Sequence, residues 1–249
     1  MSETKGRGYS IKVEAKEATV PIYEEIGEGG WFEGFSAKQF AEELKAWGKL
    51  EKIIVRINSP GGEVFDGITI YNLLKQNSAK VIVYVDGLAA SIASVIAMAG
   101  DEIHMADNAL MMIHDPWSFA IGNAADMRET ADRLDKVAGT IVRTYAKKTG
   151  KGEQELADMM AAETWMNADE AVEHGFADYV VEALPMAASA NFDLEKFRYK
   201  RSPLAAGTPM RPAAEVKDPG TPMRPNLEFL DAAMQKISDV LERTKLKAA

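Results

Sequence analysis

The 249-residue chain contains no cysteine. Disulfides, a thiolate nucleophile and cysteine-ligated metals are excluded at once. Histidine is scarce: His104, His114 and His174 are the three, and none stands at an H-x-H or H-E-x-x-H spacing from another. A histidine-rich metal centre is not expected. Long apolar runs are missing too. The least polar stretch, Leu88 to Gly100, is alanine-rich and too short to span a bilayer. The opening MSETKGRGYSIKVEAK lacks the apolar core of a signal peptide. Basic residues are in deficit, 29 against 38 acidic, for a net charge of −9, which argues against nucleic acid as a main partner. These absences predict a cytosolic chain with no cofactor, no metal and no membrane association.

What is present is an alternation of strand and helix signals. YSIKVEAKEATVPIYEEIGE alternates apolar and polar residues and predicts N-terminal strands. SAKQFAEELKAWGKL predicts a helix capped by Ser36, with Phe40, Leu44 and Trp47 on one face. KIIVRIN reads as a strand stopped by SPGG, EVFDGITIYNLLKQN as a helix, and AKVIVYVDG as a nearly all-apolar strand of the buried parallel kind. SIASVIAMAG reads as a helix, EIHMADNALMMIH as strand-rich, and NAADMRETADRLDKVAGTIVRTYAKKTG as a long charged helix. Two short helices follow, over GEQELADMMAAE and NADEAVEHGFAD. Strand–helix alternation from about residue 50 to 110 predicts an α/β fold with parallel strands.

After Val181 the composition changes. Residues 184–225 are rich in Pro, Ala and Gly, with GTPMRP occurring twice, and predict a linker; residues 226–249 recover helical spacing through Leu227, Leu230, Met234, Ile237 and Leu241. Such a helix needs a partner to bury its stripe. The division is therefore residues 1–183 as a domain, 184–225 as a linker and 226–249 as an amphipathic assembly helix.

Three short features bear on chemistry. Ser91 follows a strand and a glycine turn and opens a helix, where backbone N–H groups lie close to the hydroxyl. By itself such a serine is better explained by tight packing than by nucleophilic attack. SPGGEVFDG can present N–H groups at a strand end or be an ordinary turn. His114 ends an apolar strand just before Asp115-Pro116, at a cleft edge or as a satisfied core histidine. His174, at a helix end, fits a dipole-complementing role.

Taken in order, INSPGGEVFDGITIYNLL, GLAASIAS, MMIHDP and MNADEAVEHGFAD resemble the Clp protease proteolytic subunit (ClpP) family of serine peptidases, from about Lys52 to Val181. The resemblance implies a ClpP/crotonase-like superhelix of β-β-α units. It implies Ser91 as nucleophile, His114 as general base, and the Gly62 and Ile92 N–H groups as oxyanion donors. Counting back from Asn167-Ala-Asp-Glu puts Glu163 where the family carries an aspartate, and a glutamate can also orient an imidazole. Substrate would add as a strand between Glu63-Val64-Phe65 and Asp115-Pro116-Trp117. The long helix resembles the family's handle, implying a homo-oligomer of one or two stacked rings.

The extension after residue 183 and an N-terminal part unlike the family's ATPase-docking region resemble the phage head-maturation peptidases. Capsid or scaffold protein would then be the substrate, with no ATPase, in the host cytoplasm. Three other readings compete: a degradative peptidase working with an ATPase, a crotonase-type acyl-CoA enzyme that needs no Ser91–His114 pair, and an assembly protein whose site is impaired by Glu163.

Overall fold

The computed structural model describes residues 2–5, 10–14, 16–29, 32, 34–183, 197 and 199. All belong to the first of two units into which the chain divides, Met1–Ala206; the second, Gly207–Ala249, lies outside them. The expected amphipathic helix 226–249 and nearly all of the expected linker 184–225 therefore fall outside the described residues.

Strands β1 (Ser2–Lys5), β2 (Ser10–Glu14) and β3 (Glu17–Ile22) form an antiparallel meander. From β3 onward the sheet is parallel: β4 (Lys52–Ser59), β5 (Lys80–Ala90), β6 (Glu102–Ala106) and β9 (Tyr179–Val181) follow in that order. The strand at Ser2–Lys5 has no sequence signal, since SETK offers no apolar face. Helices α1 (Ala37–Trp47), α2 (Val64–Gln76) and α3 (Ile92–Ala97) make the crossovers between these strands. Ser36 caps α1 by accepting from Gln39 N. Helix α4 (Ala124–Thr149) starts in a capping box of Asn123 with Asp126 and ends at left-handed Gly150. Helices α5 (Glu153–Ala161) and α6 (Ala168–Glu173) complete the described chain, α6 again opening on a capping box, Asn167 with Glu170. Among the described residues no helix is long and apolar enough to cross a membrane.

The core lies between the sheet and its helices. Ile53, Val55 and Ile57 of β4 and Val81, Val83 and Val85 of β5 point into it, against Phe40, Ile70, Leu74 and Ile96. From Lys80 to Asp86 the intervening residues of β5 are half-buried or exposed, so this part of the strand is fully buried on one face only, while Leu88, Ala89 and Ala90 at its end are all buried. That differs from the two-sided burial its composition predicts. Its other face carries a polar and aromatic row: Tyr84 stacks on His104 at 4.7 Å, and the Arg56 guanidinium sits 5.4 Å above the Tyr84 ring. Arg56 binds Asp86 through Nε (2.9 Å) and Nη2 (2.5 Å), and Tyr23 donates to the same carboxylate at 2.8 Å. Burial pushes the Tyr23 phenol up to about 12.

Two strands leave the main path and create the site. The first half of β5 pairs with β6, but Leu88, Ala89 and Ala90 pair with Leu110, Met111 and Met112 of β7 (Leu110–Ile113). Strand β8 (Thr164–Asn167) then pairs antiparallel with β7. The C-terminal ends of β4, β5 and β7 thereby converge.

Candidate active site

Each element of the site is held by backbone. Ser59, at the end of β4, donates through Oγ to Glu24 O at 2.6 Å and accepts from Gly61 N at 3.2 Å. The next peptides bridge to Ile26: Ile26 N donates to Gly61 O and Glu63 N donates to Ile26 O, both at 2.8 Å. In such a parallel bridge the intervening Gly62 N–H faces away from Ile26, and Gly62 lines the cleft. Gly61 has φ +94, and a Cβ there would meet Ala90 O and Ser91 Cβ at 2.8 Å. The glycine loop is thus pressed against the start of α3.

Ser91 N donates to Met112 O at 2.9 Å, which fixes the turn after β5 to the end of β7. Ser91 itself adopts φ 55, ψ −129, a conformation rarely held by a residue with a Cβ and confined to positions that their surroundings enforce. Ile92 is the first residue of α3, where an N–H has no intrahelical acceptor. His114 follows β7 directly, and its Nε2 lies 2.8 Å from Ser91 Oγ. With the imidazole proton on Nδ1, the serine hydroxyl donates to Nε2, the orientation in which the ring can take the proton.

Behind the pair, Ser94 Oγ donates to Ser91 O at 2.6 Å and lies 2.8 Å from the hydroxyl of Tyr145 on α4. A serine hydroxyl has one proton, so Tyr145 is the donor in that second bond. Burial raises the Tyr145 phenol well above its ordinary range, which keeps it a donor. Tyr145→Phe is expected to lower stability by about 1 kcal/mol, because Ser94 loses a buried partner while the ring packing stays. The midpoint and slope of urea denaturation check this.

Glu163 is 7% exposed and has φ 50. The β7–β8 register ends with Ile113 paired to Thr164, so His114 and Glu163 each lie one residue beyond that pair. Glu163 Oε1 also accepts from Trp165 Nε1 at 3.2 Å.

A cleft of about 210 Å³ opens over the pair. Glu63, Val64, Pro116 and Trp117 line it, but Phe65 and Asp115 do not. Val64 and Phe65 form the first turn of α2, with Glu63 as its extended cap, and Phe65 is 65% exposed. Phe32, Phe119, Phe197 and Tyr199 also line the cleft. Sequence reading missed them, although the aromatic cluster FDLEKFRY stands out from the Pro/Ala/Gly-rich composition around it. Among the described residues no group of three or more His, Asp or Glu could hold a metal ion.

Fold and geometry together define a class: an α/β protein whose serine and histidine meet at the ends of parallel strands, in the manner of a serine hydrolase. Residues 30–183 match the model of the Clp protease family, and the chain belongs to that family. It is 34% identical over 134 residues to the ATP-dependent Clp protease proteolytic subunit of Deinococcus radiodurans, covering 53% of this chain and 66% of that one. The subunit of the same name from Leuconostoc citreum is 32% identical over 142 residues, covering 55% of this chain and 71% of the relative. The solved structure of a ClpP1 mutant from Listeria monocytogenes aligns with a TM-score of 0.56 at 24% identity, over 66% of this chain and 91% of that chain. That likeness shows the fold.

Proposed function

We propose that the chain is a serine endopeptidase that processes capsid or scaffold protein during phage head maturation, without an ATPase. The observation that carries the peptidase reading is the 2.8 Å approach of His114 Nε2 to Ser91 Oγ, on a serine whose backbone is held at φ 55. Ser91 Oγ attacks the scissile carbonyl as His114 takes its proton, and the tetrahedral oxyanion is held by the Gly62 and Ile92 N–H groups. His114 then gives the proton to the leaving amine, and water hydrolyses the acyl-enzyme by the same path in reverse. Glu163 orients the imidazole and stabilises its cation. The active form is a homo-oligomeric ring, in the host cytoplasm. The head-maturation role is supported by residues 184–249, which lie beyond the family match and whose last part has apolar residues at a spacing that would suit a scaffold contact.

Co-expression with the capsid protein tests the substrate: wild type is expected to trim capsid or scaffold, and the same trimming by Ser91→Ala would remove the proposal. The relatives' printed name, ATP-dependent, favours a second reading, in which an unfoldase feeds the site. Purified chain that cuts the capsid protein only when an ATP-driven unfoldase is added would establish it.

Glu163 gives a separate prediction. Glu163→Gln keeps the shape but not the charge, and is expected to lower kcat on a fluorogenic peptide by about 10²–10⁴-fold. Glu163→Asp is expected to retain most of the activity. Equal rates for wild type and Glu163→Gln take Glu163 out of the mechanism.

A further inference from the structure

The catalytic cleft is already partly filled, by residues far along the chain from those that build it. Phe197 is 3% exposed and stacks on Phe32 and on Tyr199, with centroids 5.6 Å apart in both cases. The Tyr199 ring stands edge-on to the His114 imidazole at 5.3 Å and to Trp165 at 5.8 Å. It packs against the small apolar cluster of Leu88, Ala90 and Met112. Its hydroxyl donates to Pro60 O. Burial drives this phenol far above its ordinary range, so it stays protonated.

This position matters because of what surrounds it. Pro60 O immediately precedes the Gly61-Gly62 loop, and His114 and Ser91 are the reacting pair. Tyr199 lines the cleft together with Ser91 and His114, its ring 5.3 Å from the imidazole, so it stands beside the place a scissile peptide would take. The occupant is a segment of the same chain, seated through Phe197 and Tyr199. Covalent attachment supplies it at a high effective concentration.

We propose that Phe197 and Tyr199 are an internal occupant of the substrate cleft, which holds the enzyme closed until substrate or a partner of the C-terminal region displaces them. This rests on the peptidase reading of Ser91 and His114. An intramolecular competitor raises KM and slows acylation of Ser91, and leaves kcat for bound substrate nearly unchanged.

The test uses the full chain and the double variant Phe197→Ala/Tyr199→Ala, with Tyr199→Phe as a milder change that removes only the hydroxyl. Acylation of Ser91 by a small fluorophosphonate and kcat/KM on a fluorogenic peptide are expected to rise about tenfold in the double variant, through KM. Tyr199→Phe is expected to move both in the same direction by less. Tryptic cleavage after Lys196, Arg198 and Lys200 needs no activity of the chain itself. It is measured in a Ser91→Ala background, where slow cleavage is expected, and fast cleavage once the two aromatics are removed. Equal acylation rates together with equal tryptic cleavage would overturn the proposal. Slower acylation in the double variant, or in Tyr199→Phe if the double variant does not fold, would also overturn it, since Tyr199 would then assist rather than obstruct. If no form reacts with the fluorophosphonate or the peptide, the peptidase reading fails. Tryptic protection, lost on removal of the aromatics, then still decides whether the segment sits in the cleft.

Discussion

Ser91→Ala is expected to lower kcat/KM on a fluorogenic peptide by at least about 10⁴-fold while leaving the fold intact. The size follows from the chemistry: removing the nucleophile ends covalent catalysis, and what survives is the rate that oxyanion donors and substrate binding give to direct attack by water. The intact fold follows from the geometry. Ser91 is held at φ 55 by its own N–H bond to Met112 O and by Ser94 Oγ on its carbonyl, and neither bond uses the Ser91 side chain. Alanine carries the same Cβ, so the strain at this residue is nearly unchanged. Only the hydrogen bond to His114 is lost, at a half-buried imidazole that water can reach, so stability is expected to shift by less than about 1 kcal/mol. A variant that keeps activity within tenfold, at unchanged denaturation midpoint, would show that the serine is a packing residue. A crotonase-type enzyme, whose chemistry needs only the backbone donors, would behave in that way.

The sequence carried the local parts of this site well and the long-range parts poorly. The loop after β4, the serine after β5 and the histidine after β7 each sit at a strand end, and strand ends are visible as the point where apolar alternation meets a breaker. That those three ends converge was less visible. It depends on β5 changing partner from β6 to β7 partway along its length, and Asp86-Gly87, at the change, reads in sequence as the turn that ends the strand, whereas β5 continues to Ala90. Glu163 was reached only through family spacing, because its neighbours on β8 are Thr164 and Trp165, and nothing local marks a buried carboxylate. Phe65 is placed beside substrate by the family resemblance alone; here the helix begins at Val64, and the Phe65 side chain is 65% exposed. Phe197 and Tyr199 were missed for a different reason. Composition averaged over residues 184–225 describes a linker, and two aromatic residues that find a pocket are lost in the average.

Gly62→Ala is expected to be severely damaging for a change of a single methyl. An added Cβ would stand 2.1 Å from Ile26 O and 2.8 Å from Ile26 N, at a backbone φ of +150. Neither neighbour can step aside, since Ile26 is fixed to Gly61 O and Glu63 N by bonds of 2.8 Å on either side of Gly62. Relief therefore requires opening that bridge, and the expected loss of stability is about 3–5 kcal/mol, from two buried backbone bonds and conformational strain together. Any molecules that remain folded would hold the loop displaced. Moving one oxyanion donor is expected to lower kcat by a further 10²–10³-fold with little change in KM. Gly29 provides the internal comparison: it has φ +87 but nothing within 4 Å of an added Cβ. Gly29→Ala isolates the cost of the backbone conformation alone, about 1 kcal/mol, with unchanged peptide hydrolysis. If the two variants unfold at the same urea concentration, the loop is not pinned by Ile26. The oxyanion donor would then have to be positioned by the contact of Gly61 with Ser91 instead.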